Sequence, residues 1–175
     1  MFQKICVLIC CALISFAFMT PNRAEKKANK VISKFYETED FIKKNITFSE
    51  EIQQQLQSDF SQGNLFEIIE NETFLGYGYM GNAKSKTATF DYLVLFDSDL
   101  IITKSTVLIY REEYGGEISS KRWLKQFIGK NTTSELIYND NIIPISGATI
   151  SVKSMTNAVN DLLKSISKLQ DLKLI

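Results

Sequence analysis

The 175-residue chain contains no histidine. That removes the commonest general base at neutral pH, the usual haem ligand and most zinc or non-haem iron sites, so a hydrolytic triad is not expected. Its three cysteines, Cys6, Cys10 and Cys11, all fall inside the first apolar run. The rest of the chain therefore has no thiol for a disulfide, a cluster or a nucleophile, and any redox chemistry must come from a bound cofactor. Neither sign of charge is in excess: 20 Lys plus Arg balance 20 Asp plus Glu. Without a basic field, or a basic stripe interleaved with aromatics, nucleic acid is not an expected partner. Internal repeats and low-complexity segments are also lacking.

What is present begins with an apolar stretch from Ile5 to Met19, preceded by Lys4. Its composition is that of an export signal, at the upper limit of a signal core and short of the roughly 20 residues that span a bilayer comfortably. Residues 1–24 therefore read as a signal peptide or a membrane anchor. Either way the domain is expected outside the cytoplasm, in the periplasm, and in the second case tethered by its N-terminus. Cuts after Ala17 or Ala24 are the candidates, neither a clean match. Ile9 before Cys10, and Cys10 before Cys11, argue against lipidation.

About 150 further residues are enough for one domain with a core. Residues 25–62 form a polar, helix-prone segment in which Val31, Phe35, Ile42, Ile52, Leu56 and Phe60 are spaced as buried stripes; two helices are expected, the second capped by Ser49. From residue 63 the texture changes. Leu65–Ile69, Phe74–Tyr79, Thr87–Phe96 and Leu100–Tyr110 are rich in β-branched and aromatic residues and read as strands, the last two joined as a hairpin through Asp97-Ser98-Asp99. A short helix is expected over Ser119–Phe127. The final helix, Val152 to Leu169, carries Met155, Val159, Leu162, Ile166 and Leu169 at intervals of three and four. Strands that cluster without alternating helices give an α+β fold, an antiparallel sheet flanked by helices.

Between the last β-type residues and that helix lies Ser146-Gly147-Ala148-Thr149-Ile150-Ser151. Small residues let a backbone approach an anion, and first-turn N–H groups point at the charge, so phosphate is the natural guest. Ser146, Thr149 and Ser151 add hydroxyls. On geometry alone a plain helix entry with Ser151 as N-cap fits equally well. Among the aromatics, Tyr77, Tyr79, Tyr110, Tyr114 and Trp123 have the shape to stack on a planar ring, but most are expected in the core. Lys153 reads as a solvated lysine near the turn.

The longer segment, with Ser154 and the Ala158-Val159 helix, resembles the FMN-binding domain family, which includes the C subunit of the sodium-translocating NADH:quinone reductase and the G subunit of Rnf-type complexes. The resemblance extends over about residues 74–168, through Gly76-Tyr77-Gly78-Tyr79, the Asp91–Val94 strand, the Asp97–Asp99 turn and a Glu-Gly loop in which Glu112 and Gly115 match. It implies a half-barrel-like twisted sheet over residues 63–175. It also implies FMN at Ser146, Gly147, Ala148, Thr149, Ile150, Ser151, Glu112 and Gly115, attached by a phosphoester to Thr149. Two departures stand out. The family's histidine and Thr-Pro pair are replaced around Tyr110-Arg111-Glu112-Glu113-Tyr114, and the acidic residue usual six positions before the threonine is Ile143. The implied function is an electron carrier served by a flavin transferase and a membrane redox complex or quinone-linked donor. The alternatives are a noncovalent FMN reductase and a flavin-free envelope interaction domain.

Overall fold

The computed structural model describes residues 22–175. Most of the expected signal or anchor segment therefore lies outside the described residues. Its last positions, from Asn22 to Ala24, cap and open the first helix. The Asn22 Oδ1 accepts the Glu25 N–H at 2.9 Å, the N-cap of α1 (Arg23–Tyr36). Ala24, Ala28 and Ile32, each four residues apart, form its buried stripe. The helix ends where Glu37 turns left-handed, at φ 57°.

The expectation of two helices before residue 62 needs correction. Residues Ile42–Ile46 form a strand, β1, and the second helix shrinks to one turn, α2 (Glu50–Gln53), with Ser49 at its N-cap but no side-chain capping bond. Ile42 is 64% exposed, so it belongs to no buried helical stripe. Pairing overrides local preference: β1 aligns antiparallel with β2 (Leu65–Glu70), Ile46 opposite Leu65, and Lys44 reaches Glu67 at 3.0 Å.

Three further strands continue the meander: β3 (Thr73–Lys84), β4 (Thr89–Phe96) and β5 (Ile102–Ile109). The sheet order is β1-β2-β3-β4-β5, with every neighbour antiparallel, as the α+β reading expects. Asn71 and Glu72, both at positive φ, make the two-residue β2–β3 turn. At the β4–β5 hairpin the Asp97 carboxylate accepts the N–H groups of Asp99 and Ile101, which explains why an Asp opens that turn.

The sheet carries a core on each face. On one side Phe66, Ile68, Leu93, Leu95 and Leu108 pack with Ala24, Ala28 and Ile32 of α1. On the other, Tyr79, Phe90, Tyr92, Val94 and Phe96 pack with α4 (Thr149–Asp171). Val152, Met155, Val159, Leu162, Ile166 and Leu169 of α4 have no exposed surface; at about 1.5–3 kcal/mol per buried side chain, this row is what fixes α4 on the sheet. The expected 119–127 helix is divided: a 3₁₀ turn at Gly116–Ser119, a short helix α3 (Lys121–Leu124) and a second 3₁₀ turn at Lys125–Phe127. Trp123, Leu124 and Phe127 are nevertheless buried together, as their spacing suggests. Among the described residues no helix is long and apolar enough to cross a membrane.

Candidate functional site

Helix α4 begins three residues earlier than its apolar periodicity indicates, and this places the Ser-Gly-Ala-Thr turn at the helix start. Gly147 adopts φ 87°, a conformation that L side chains resist. Ala148 is the N-cap residue and has no side-chain oxygen to offer. The first bond onto the cap is Val152 N–H to Ala148 O, 2.8 Å. The N–H groups of Thr149, Ile150 and Ser151 precede it and have no carbonyl within the helix to accept them. Three unsatisfied donors at the positive end of a 23-residue helix make an anion-binding arrangement.

The side chains here divide. Ser146, Gly147 and Thr149 are exposed, and Ile150 is half exposed. Ser151 is not the N-cap but the third helical residue. Its side chain is buried, with Oγ 3.0 Å from the Tyr110 hydroxyl. The turn therefore presents the Thr149 side chain to solvent and turns that of Ser151 inward. Lys153 is exposed.

The loop after β5 closes over this turn. The Tyr110 hydroxyl donates to the Tyr114 carbonyl at 2.9 Å. Gly115, at φ 87°, leaves room for that hydroxyl: a Cβ there would run into Tyr110 Oη and would stand 3.7 Å from the Gly147 carbonyl oxygen. Gly147 in turn has no room for a Cβ without pressing on the Glu117 carboxyl group, 3.0 Å away. Two glycines thus let two loops meet, and a carboxylate sits beside the helix start.

Glu112 does something else. Its Oε1 accepts from Ser85 Oγ (2.6 Å), Thr87 N (2.7 Å), Ala88 N (2.8 Å) and Thr87 Oγ1 (3.2 Å), so it clasps the β3–β4 connection. The Ser85 hydroxyl and then the Thr87 amide hold its carboxyl down at about 2. None of these bonds reaches the Ser146–Thr149 turn. Glu112 and Gly115 flank the same loop but serve different neighbours.

Upstream of the turn, Ile143 is held by its backbone. Its N–H donates to Gln126 Oε1 at 2.8 Å, and its carbonyl accepts from Trp123 Nε1 at 2.9 Å. The isoleucine side chain is 58% exposed. Trp123 is buried and meets Phe127 edge-on at 5.2 Å, a core role shared by Tyr79. Tyr114, by contrast, is 84% exposed beside Gly115.

The turn, Gly115 and Tyr110, which the sequence singles out, lie together in the structure. Glu117 beside Gly147 and Gln126 beside Ile143 are not marked by the sequence. The Glu117–Gly147 approach joins positions far apart in the chain, and neither residue belongs to a recognisable motif, so no local signal marks it. Among the described residues no cluster of acidic, Cys or His side chains is arranged to hold a metal ion.

A family model described as the FMN-binding domain matches residues 86–164. The match covers β4, β5 and most of α4, and with them the whole 110–117 loop and the Ser146–Thr149 turn. No curated protein matches the chain.

Proposed function

We propose that this is an FMN-binding flavoprotein that holds its flavin by the phosphate at the Ser146–Thr149 turn, a reading supported by the match of residues 86–164 to the FMN-binding domain model. The observation that carries the reading is the start of α4, where three N–H groups lack helical partners while the Thr149 side chain is exposed beside them. The residues fit a phosphate: backbone donors, a glycine at positive φ and no capping side chain in their way. Ser146 adds a second exposed hydroxyl. Tyr110, through Ser151, and Gly115, by its lack of a side chain, hold the loop and the helix start in register.

We propose further that the flavin is joined covalently. In the attachment a bond forms between the Thr149 oxygen and the flavin-side phosphorus of a flavin dinucleotide, the P–O bond of its diphosphate bridge breaks, and a nucleoside monophosphate leaves with the hydroxyl proton, an exchange catalysed by a flavin transferase. FMN, when bound, supplies one- and two-electron transfer. With no histidine or thiol in the domain, the chain's own part is to bind and orient. We read it as an exported carrier in the periplasm, accepting electrons from a membrane redox complex or a quinone-linked donor. An ester bond suits that setting, since a dissociated cofactor outside the cytoplasm is lost.

Noncovalent FMN, serving a periplasmic reductase, is the second reading. It is favoured by one feature: the position six residues before Thr149 presents the exposed apolar side chain of Ile143 where an acid is usual. Visible absorbance of the purified protein before and after acid precipitation separates the two. Colour that stays with the precipitate supports the ester, colour that leaves with the supernatant supports the second reading, and a colourless native protein contradicts both.

A further inference from the structure

A cleft of about 220 Å³ adjoins the Ser-Gly-Ala-Thr turn, lined by Arg122, Trp123, Gln126, Ile143, Pro144 and Ile145. Backbone clamps hold its wall at Ile143. The Ile143 N–H donates to Gln126 Oε1 at 2.8 Å, and its carbonyl accepts from Trp123 Nε1 at 2.9 Å and Gln126 Nε2 at 3.2 Å. A second Nε2 bond goes to the Trp123 carbonyl, at 3.3 Å. These bonds occupy the side-chain donors of Trp123 and Gln126. Arg122 is exposed and pairs with no acid among the described residues, so its guanidinium keeps the free donors of the lining.

The wall continues into the helix start. The Ile145 carbonyl accepts the Ala148 N–H at 3.4 Å. A turn of this kind keeps its end Cα atoms within about 7 Å, so the cleft and the unsatisfied N–H groups of α4 are neighbours. Ile143 is 58% exposed, and Pro144 and Ile145 are only partly buried. An apolar run of this kind beside a phosphate-type turn marks a ligand groove. A pocket that encloses a whole drug-sized ligand measures about 300–1,000 Å³. The smaller space here suits a planar ring whose chain and phosphate lie outside it.

We propose that this cleft seats the isoalloxazine ring of the flavin, with the dimethylbenzene end against Ile143–Ile145 and the pyrimidine end towards Arg122. The inference rests on the reading that the turn holds the flavin phosphate. The lining differs from end to end as the ring does: one end of the ring is apolar, and the other carries oxygen and nitrogen acceptors. A free guanidinium suits the second, and its charge favours the negative charge that reduced flavin gathers at N1. Ile143 then supplies apolar area that an acid at that position would not.

The test is titration of the full chain, made without flavin transferase, with FMN and with ribitol 5-phosphate, which carries the phosphate but no ring. FMN is expected to bind about tenfold more tightly or better, through apolar burial of the ring. Ile143→Ser is expected to weaken FMN about five- to tenfold. Arg122→Gln is expected to weaken it about two- to fivefold, reduced FMN more than oxidised, so that the midpoint potential falls. Neither substitution is expected to change the binding of ribitol 5-phosphate. Equal binding of the two ligands, with both substitutions silent, leaves the ring in solvent and overturns the seat while the phosphate turn stands. Equal weakening of both ligands assigns Arg122 and Ile143 to the turn itself and also overturns the seat. If neither ligand binds, the reading of the turn fails and the seat fails with it.

Discussion

The Tyr110 hydroxyl donates to the Tyr114 carbonyl, so at its 3.0 Å contact with Ser151 Oγ it is the serine that donates. One phenol thus ties the end of β5 to both the loop that carries Gly115 and the first turn of α4. Tyr110→Phe removes both bonds and leaves the Ser151 hydroxyl buried. A loss of about 1–3 kcal/mol in urea unfolding is expected, together with weaker FMN retention. An unchanged midpoint contradicts the linking role.

Gly115→Ala attacks the same joint from the other side. The new Cβ meets Tyr110 Oη, and the backbone must hold φ 87° with a side chain, a strain of about 1–2 kcal/mol before any displacement. The variant is expected to be less stable than wild type by at least that amount. Gly116→Ala, where a Cβ meets open space, serves as the control and is expected to change stability little.

Glu112 ties the loop to the β3–β4 connection, and the consequence is a pH dependence. Its carboxyl in the folded protein lies at about 2, below the roughly 4.3 of a free glutamate. A depressed folded value means that the stabilisation is fully present above the unfolded value and is lost as pH falls from there towards 2. Glu112→Gln should therefore lower stability at neutral pH and flatten the decline between about pH 4.3 and 2. Denaturant midpoints measured across that window check it; parallel wild-type and variant curves contradict it.

The Glu117 carboxylate beside Gly147 places a negative charge next to the donors that a phosphate would use. Glu117→Gln is expected to tighten free FMN binding about two- to fivefold, the worth of one charge at a helix start. The gain should shrink with added salt. Fluorescence titration at two ionic strengths reads both; weaker binding by the variant shows that the carboxylate assists instead.

How much of this was legible in the sequence depends on how local the cause was. The α4 row from Met155 to Leu169 repeats within one helix, and the β4–β5 hairpin carries its own turn at Asp97, so both could be read directly. Ile42 and Ile46 are compatible with a helical stripe, and only the partner strand β2 makes them β1. The apolar periodicity of α4 starts at Val152 and a serine before it suits a cap, but the Ser151 hydroxyl turns inward to Tyr110 and the helix starts at Thr149. Glu112 matched a motif, yet its partners Ser85, Thr87 and Ala88 lie on a distant connection that no spacing indicates.

The most direct test is the mass of the denatured protein after export from cells that supply a flavin transferase, compared with Thr149→Ala made in the same way. An addition equal to FMN less one water on the wild type, absent from the variant, is the predicted result. An unmodified wild-type mass, or the same addition on Thr149→Ala, contradicts attachment at Thr149.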